Sequence, residues 1–390
     1  MAVDLLIIGA GPYGLAVASL AKHRDISYRL YGKPMDFWKS HMPRGMFLRS
    51  GIQWHMDPLQ LHTLEQFLHE KNLRRDEVEP IPVEIFQAYG DWFQQQSGVV
   101  AENILVSEIN RRGELFEMTL ENGETVLAKR VVVAPGFRYF KNEPEELTRG
   151  LIEHRYSHTS DFNDLRALSD KACLILGGRQ SAFETAALLR ENGARSIDLV
   201  YRHATPQFAV SDWTWIDPLL DEAGRTPGWF SHLPREQQED IRRRFWVEGR
   251  IKLEPWLGPR IAFENVKLHP QTSLLSWSLS QDHLTARLSD GEAIKVDQVI
   301  LATGFKVDVR QLSFLSKETI LPLLRSVDGY PSLDENFQST IPGLYFTGLI
   351  ASRDFGPFFG FVRACPLSAQ YIVTGVERSI RQERRVPQHG

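Results

Sequence analysis

From Val3 to Ile8 the chain carries an apolar run without strict alternation, as expected of a parallel strand buried on both faces. A glycine-rich turn follows. Leu15–Ala21 then places small and apolar residues at helical spacing, and Ser27–Tyr31 predicts a second strand. Glu84–Gln96 predicts an amphipathic helix. Ile104–Val106, Leu115–Leu120 and Thr125–Leu127 predict short antiparallel strands, the last two joined through Asn122-Gly123. Arg130–Ala134 is a further buried strand that ends at Pro135-Gly136.

The pattern then restarts. Ala172–Leu176 predicts a strand, Gly177-Gly178 a turn, Ser181–Glu191 a helix and Ile197–Tyr201 the next strand. A long departure over 204–262 holds five of the nine tryptophans (Trp213, Trp215, Trp229, Trp246 and Trp256) and a helical stretch over Arg235–Glu248. Strand signals return at Val266–Leu268, Leu284–Leu288, Ala293–Val296 and Val299–Ala302, and again at Ile341–Gly348. The charged tail from Arg378 reads as frayed. Strand, glycine turn, helix and strand thus occur twice, 168 residues apart from Gly9 to Gly177. This layout predicts an α/β protein of two Rossmann-like dinucleotide-binding domains, one inserted in the other. The first comprises 1–165 and 303–390, and the second is 166–302.

Composition narrows the function. The 390 residues are 42% hydrophobic and 24% charged, with a net charge of −4, which supplies no basic face for nucleic acid. Leu5–Ala21 has no basic leader and is broken by Gly9, Gly11, Pro12 and Gly14, so it does not read as a signal or membrane anchor. The only cysteines, Cys173 and Cys365, lie far apart. That argues against a C-x-x-C dithiol and fits a cytoplasmic location. No HExxH string, zinc-ligand cluster or G-x-S-x-G occurs, so no metal is expected.

Gly9-Ala10-Gly11-Pro12-Tyr13-Gly14 is a G-x-G-x-x-G string between a strand and a helix. Its glycines allow the tight turn, the approach of a pyrophosphate and close helix–strand packing. The acidic residue expected at the end of the second strand is replaced by Tyr31-Gly32. In the second turn, Gly177-Gly178-Arg179-Gln180-Ser181-Ala182, an arginine takes the second glycine slot. Arg179 would either meet a phosphate or mark a nucleotide fold that has lost its ligand. Arg202 and His203 lie where a 2′-phosphate would sit, which favours NADPH over NADH, and Arg202 reads equally as a surface arginine.

Together with Val133-Ala134-Pro135-Gly136, Leu301-Ala302-Thr303-Gly304-Phe305 and Tyr345-Phe346-Thr347-Gly348, these turns make the chain resemble the class B flavin monooxygenases. That group includes flavin-containing monooxygenases, Baeyer–Villiger enzymes, N-hydroxylases and bacterial proteins of the FAD-dependent urate hydroxylase type. The family's linking fingerprint is half matched, by His158 and Phe162. Ile152 and His154 stand where its phenylalanine and first glycine belong. The resemblance implies FAD as cofactor, reduction by NADPH or NADH, and oxygenation of a small molecule by O2 through a flavin C4a-(hydro)peroxide. It also implies that Trp38, Arg49, Trp54, His55 and Asp57 run along the flavin, with Arg49, His55 and Asp57 as catalytic candidates. Ala134, Gly136, Thr303, Gly304, Gly348 and Phe358 fall beside the cofactor. Arg353–Pro357 precedes a last helical segment whose N-terminus would stabilise charge on reduced flavin. A reductase serving a quinone or protein, and a flavin-binding sensor, are the competing readings. A homodimer is left open. The aromatic insert is either scaffold or a cap over the cofactor cleft, with Trp213 and Trp215 nearest to it.

Overall fold

The computed structural model describes residues 2–151, 153–279 and 284–385. Ile152 lies outside the described residues. Two parallel sheets organise the chain. In the first, the order is Leu344–Phe346, Val131–Val133, Leu5–Ile8, Tyr28–Tyr31. Leu5–Ile8 and Val131–Val133 are buried throughout, which is why neither alternates. The helix Pro12–His23 packs on one face against the long C-terminal helix Cys365–Arg385. An antiparallel meander of Val106–Arg112, Leu115–Leu120 and Thr125–Ala128 covers the other. The tail expected to fray from Arg378 instead continues as helix to Arg385.

The second sheet repeats this plan with five parallel strands. Their order is Val266–His269, Ser196–Val200, Ala172–Leu176, Gln298–Leu301, Tyr156–His158. Its meander is Leu274–Leu279, Leu284–Leu288 and Ala293–Val296. Tyr156–His158 is too short and polar to read as a strand from sequence, and it joins this sheet ahead of residue 166.

The stretch 204–262 has structure of its own. Gln207–Phe208 pairs with Lys252–Leu253, and Ile216–Arg225 and Arg235–Trp246 are helices. A wider helical turn follows over Val247–Ile251. Ile216, Leu220 and Phe245 enter the same core as Pro12–His23 and Cys365–Arg385. Arg363 pairs with Asp217 at 2.9 Å, and the Tyr371 hydroxyl donates to the Ala223 carbonyl. The insert therefore bridges from the second sheet back to the first unit. Among the described residues, no helix is long and apolar enough to cross a membrane.

Candidate active site

At the first turn, Gly9 adopts φ +101°, and a Cβ there would stand 2.1 Å from the Ala134 carbonyl oxygen. A Cβ on Gly14 would stand 1.8 Å from the Gly9 carbonyl oxygen. The backbone itself demands these two glycines. Gly11 is different: its φ is −82°, and a Cβ would meet nothing within 4 Å. Gly11 is also the cap of the helix Pro12–His23. No side chain bonds the helix's first N–H groups, and its first turn has no acidic residue. Free donors and a positive dipole end thus face a cleft, the physical requirement for holding a pyrophosphate.

The cleft is walled by Gly9–Tyr13, Tyr31–Lys33, Phe37, Trp38, Ala134–Tyr139, Phe314, Gly360 and Val362. Gly136 sits there with φ +63°. Tyr13 is a strut: its hydroxyl donates to the carbonyls of Phe359 and Phe361, the latter at 2.8 Å. Its ring backs Gly348, where a Cβ would stand 3.5 Å away. Phe358 is fully buried against Phe230 and Phe359. In place of the expected acidic residue, Tyr31 keeps its phenol buried with no hydrogen-bond partner among the described residues, and burial pushes its pKa up to about 12. Asp36, five residues on, lines the cleft and faces Arg138 at 3.4 Å. Sequence reasoning passed over this carboxylate because it lies beyond the strand end, at the start of a five-residue helix.

The second turn follows the same logic with one change. Gly177 adopts φ +140°, and a Cβ there would stand 2.4 Å from the Ala302 carbonyl oxygen. A Cβ on Gly178 would strike the Tyr201 ring at 2.3 Å. Arg179 caps the helix Gln180–Glu191 without a side-chain bond to it. Its guanidinium lies instead over Trp246, 5.5 Å from the ring centroid, and donates to the Arg250 carbonyl at 3.0 Å. Gln180 accepts from the Glu254 amide at 3.1 Å, and Ser181 is exposed. Arg202 is exposed and has no hydrogen bond or ion pair among the described residues.

The Ala302-Thr303-Gly304 crossing is fixed by local bonds. Thr303 donates to the Asn142 carbonyl, and the Gly304 carbonyl accepts from the Asn142 amide at 3.0 Å. His158 Nε2 donates to the same Gly304 carbonyl at 2.9 Å, which leaves Nδ1 to accept from Ser160. His158 is buried and its pKa is lowered by that burial, so it is a neutral capping histidine.

Of the three catalytic candidates, two are fully engaged elsewhere. Arg49 donates to Glu254 at 2.8 Å, to the Gly249 and Glu248 carbonyls at 2.7 and 3.0 Å, and to Ser211. It fastens the segment before Trp54 to the insert. Asp57 is buried, and its oxygens accept from the amides of Leu59, Leu61 and His62. These contacts tie the polar atoms of Arg49 and Asp57 to the scaffold. His55 is half-buried, with Nδ1 accepting from the Asp57 amide at 3.2 Å and Nε2 without a partner among the described residues. Burial lowers its pKa, outweighing the pull of Asp57. Trp54 packs on Trp213 at 6.0 Å and on Phe361 at 6.1 Å, and Phe245 completes the cluster. Trp215 donates to the Asp212 carbonyl beneath Arg244 and has no ring contact with Trp54 or Phe361 among the described residues.

Residues 6–225, more than half the chain, match the profile of the pyridine nucleotide-disulphide oxidoreductases. The chain belongs to that family. It is 26% identical over 243 residues to an FAD-dependent urate hydroxylase of Xanthomonas campestris pv. campestris, a match covering 60% of this chain and 49% of the relative. The chain thus spans about half the length of that relative. It is 25% identical over 367 residues to an uncharacterized CzcO-like oxidoreductase of Geobacillus kaustophilus, covering 89% of this chain and 91% of the other. Among solved structures, the ornithine N-hydroxylase of Kutzneria sp. 744, with reduced FAD, NADP+ and L-ornithine, superposes with a TM-score of 0.79. It is 14% identical, covering 97% of this chain and 100% of that one. This likeness is one of fold. Despite the family's name, Cys173 and Cys365 are both free and buried, and burial raises both thiols, Cys173 to about 12.

Proposed function

We propose that the chain is an FAD-dependent, NAD(P)H-consuming monooxygenase of a small molecule. The observation that carries this reading is the pair of glycine turns, each presenting an uncapped helix N-terminus at the end of a buried parallel strand. FAD, when bound, would accept hydride from the nicotinamide and activate O2. The amides around Gly9–Gly14 would hold its pyrophosphate, and Trp38, Ala134, Gly136, Thr303, Gly304 and Gly348 would border it. Gly177–Ser181 would hold the nicotinamide cofactor's pyrophosphate, and Arg202 its 2′-phosphate, making NADPH the preferred donor. Residues 1–165 and 303–390 would form the flavin-binding unit, and 166–302 the nicotinamide-binding unit.

The remaining chemistry belongs to side chains. The buried, high-pKa thiols remove dithiol exchange from this chain's repertoire. Trp54, Trp213, Phe245 and Phe361 form an apolar cluster, with Phe361 next in sequence to the cleft residues Gly360 and Val362, and would help to keep water from the reacting centre. His55, whose Nδ1 accepts from the Asp57 amide, carries its proton at Nε2, and burial lowers its pKa. Urate or a similar small nitrogen heterocycle is the first substrate class to test, a choice supported by the Xanthomonas relative's name. The test is NADPH-driven oxygen uptake against heterocycles, amines, sulfides and ketones under 18O2. A product carrying one labelled oxygen supports the reading. If all oxygen returns as hydrogen peroxide and a quinone takes the electrons instead, the protein is a reductase.

A further inference from the structure

Far from the cofactor cleft, the edge of the second sheet gathers groups that the sequence separates. His269 ends the edge strand Val266–His269, and Asp198 lies in the neighbouring strand Ser196–Val200. His269 Nε2 meets Asp198 Oδ1 at 2.8 Å, and the His269 and Asp198 side chains are 8% and 10% exposed. A histidine that donates Nε2–H to a buried carboxylate presents a bare lone pair at Nδ1. Among the described residues nothing donates to that nitrogen. It points to the turn between the last two meander strands, where Glu292 Oε2 is 3.8 Å away. One ligand atom each from His269, Asp290 and Glu292 lies within 4.8 Å of the others. Asp290 is held by the Thr272 hydroxyl at 3.3 Å, while Glu292 is 62% exposed and free to swing.

A buried carboxylate behind an imidazole whose free nitrogen faces two carboxylates is the outer-shell arrangement of metal-binding histidines. A plain ion pair would not need it, because one carboxylate against one ring nitrogen already satisfies a buried histidine. We propose that His269 Nδ1, Asp290 and Glu292 bind one divalent transition-metal ion of the zinc or manganese type, with Asp198 as the positioning residue. One nitrogen and two carboxylate oxygens suit these ions and leave further positions to water. Zinc bonds of about 2 Å would draw the ligand atoms to about 3.3 Å apart. The exposed Glu292 can supply that movement without disturbing the sheet. The ion would clasp the edge strand to the meander, beside Tyr201 and the exposed Arg202; Tyr201 accepts from the Thr272 amide at 3.0 Å and donates its own amide to the His269 carbonyl at 3.2 Å.

The test uses the full chain after chelator treatment, titrated with ZnCl2 and MnCl2 by calorimetry, with melting temperature followed in parallel. One ion per chain and a raised melting temperature are expected. Both should disappear in the rim variant Asp290→Asn/Glu292→Gln, whose exposed positions leave folding intact. Asp198→Asn should bind roughly 10–100-fold more weakly. Co2+ should give a visible ligand-field band stronger than that of aqueous Co2+ in the parent, and only the weak aqueous band in the rim variant. Absence of saturable one-to-one binding, or binding equally tight in the rim variant, overturns the proposal.

Discussion

Gly11→Ala separates the cofactor cradle from the fold. At Gly11 the backbone has φ −82° and ψ −173°, which alanine adopts freely, and the added methyl would meet no protein atom within 4 Å. The flavin-free variant should therefore be as stable as the parent, or more stable by about 0.4–1 kcal/mol through lost freedom in the unfolded chain. The same methyl would project into the space where a pyrophosphate approaches the free N–H groups of Pro12–His23. Displacing one charge-assisted contact costs about 1.5–3 kcal/mol, which is roughly a ten- to hundred-fold weaker Kd. Fluorescence titration of the flavin-free protein with FAD measures this loss, and thermal unfolding of the same sample checks the fold. Gly14→Ala is the contrast, since its methyl would stand 1.8 Å from the Gly9 carbonyl oxygen and should break the turn itself. A folded Gly11→Ala protein that binds FAD with the parent's Kd would refute the cradle.

Arg202→Ala should raise KM for NADPH about ten-fold or more and leave KM for NADH unchanged, as expected when one phosphate contact worth about 1.5–3 kcal/mol is lost; equal effects on both cofactors would remove Arg202 from the 2′-phosphate site. Arg49→Ala leaves Glu254 buried without its cation, and should cost about 3–5 kcal/mol of stability in chemical denaturation. A fully stable Arg49→Ala protein with a collapsed kcat would instead show a catalytic role for Arg49. Glu184 is buried in the helix Gln180–Glu191, and burial raises its pKa from 4.5 to about 7, against the bond from the Phe47 amide and the charge of Arg260. A raised folded pKa means that its contribution is fully present below about 4.5 and is lost as pH climbs to 7 and beyond. Melting temperatures of the parent relative to Glu184→Gln should thus fall across that window; a constant difference would show that Glu184 does not titrate there.

The two strand–turn–helix units were legible because buried parallel strands leave unbroken apolar runs, and because Gly9, Gly14 and Gly177 answer to local backbone geometry. Tyr156–His158 was hidden because a three-residue strand carries no periodicity. The helix Ile216–Arg225 was hidden in part by Pro218, which a first helical turn tolerates. The scaffold contacts of Arg49 and Asp57 were hidden for different reasons. Arg49 is fixed by partners some 200 positions away, and Asp57 by three amides of its own loop that any acidic residue near a turn could have claimed. The grouping of Asp198, His269, Asp290 and Glu292 has no motif at all: it exists only once the sheet edge and meander are brought together. Trp213 and Trp215 are two residues apart, yet only the first reaches the cluster around Trp54.

In the proposed reaction the two units pass hydride from a nicotinamide cofactor to a flavin. Anaerobic stopped-flow mixing of the FAD-loaded protein with NADPH tests this most directly. Bleaching of the visible flavin band, with a rate that saturates in NADPH and is slowed by deuterium at the transferred position, is the expected result. A flavin that stays oxidised at every NADPH and NADH concentration, in a protein that binds both cofactors, would contradict it.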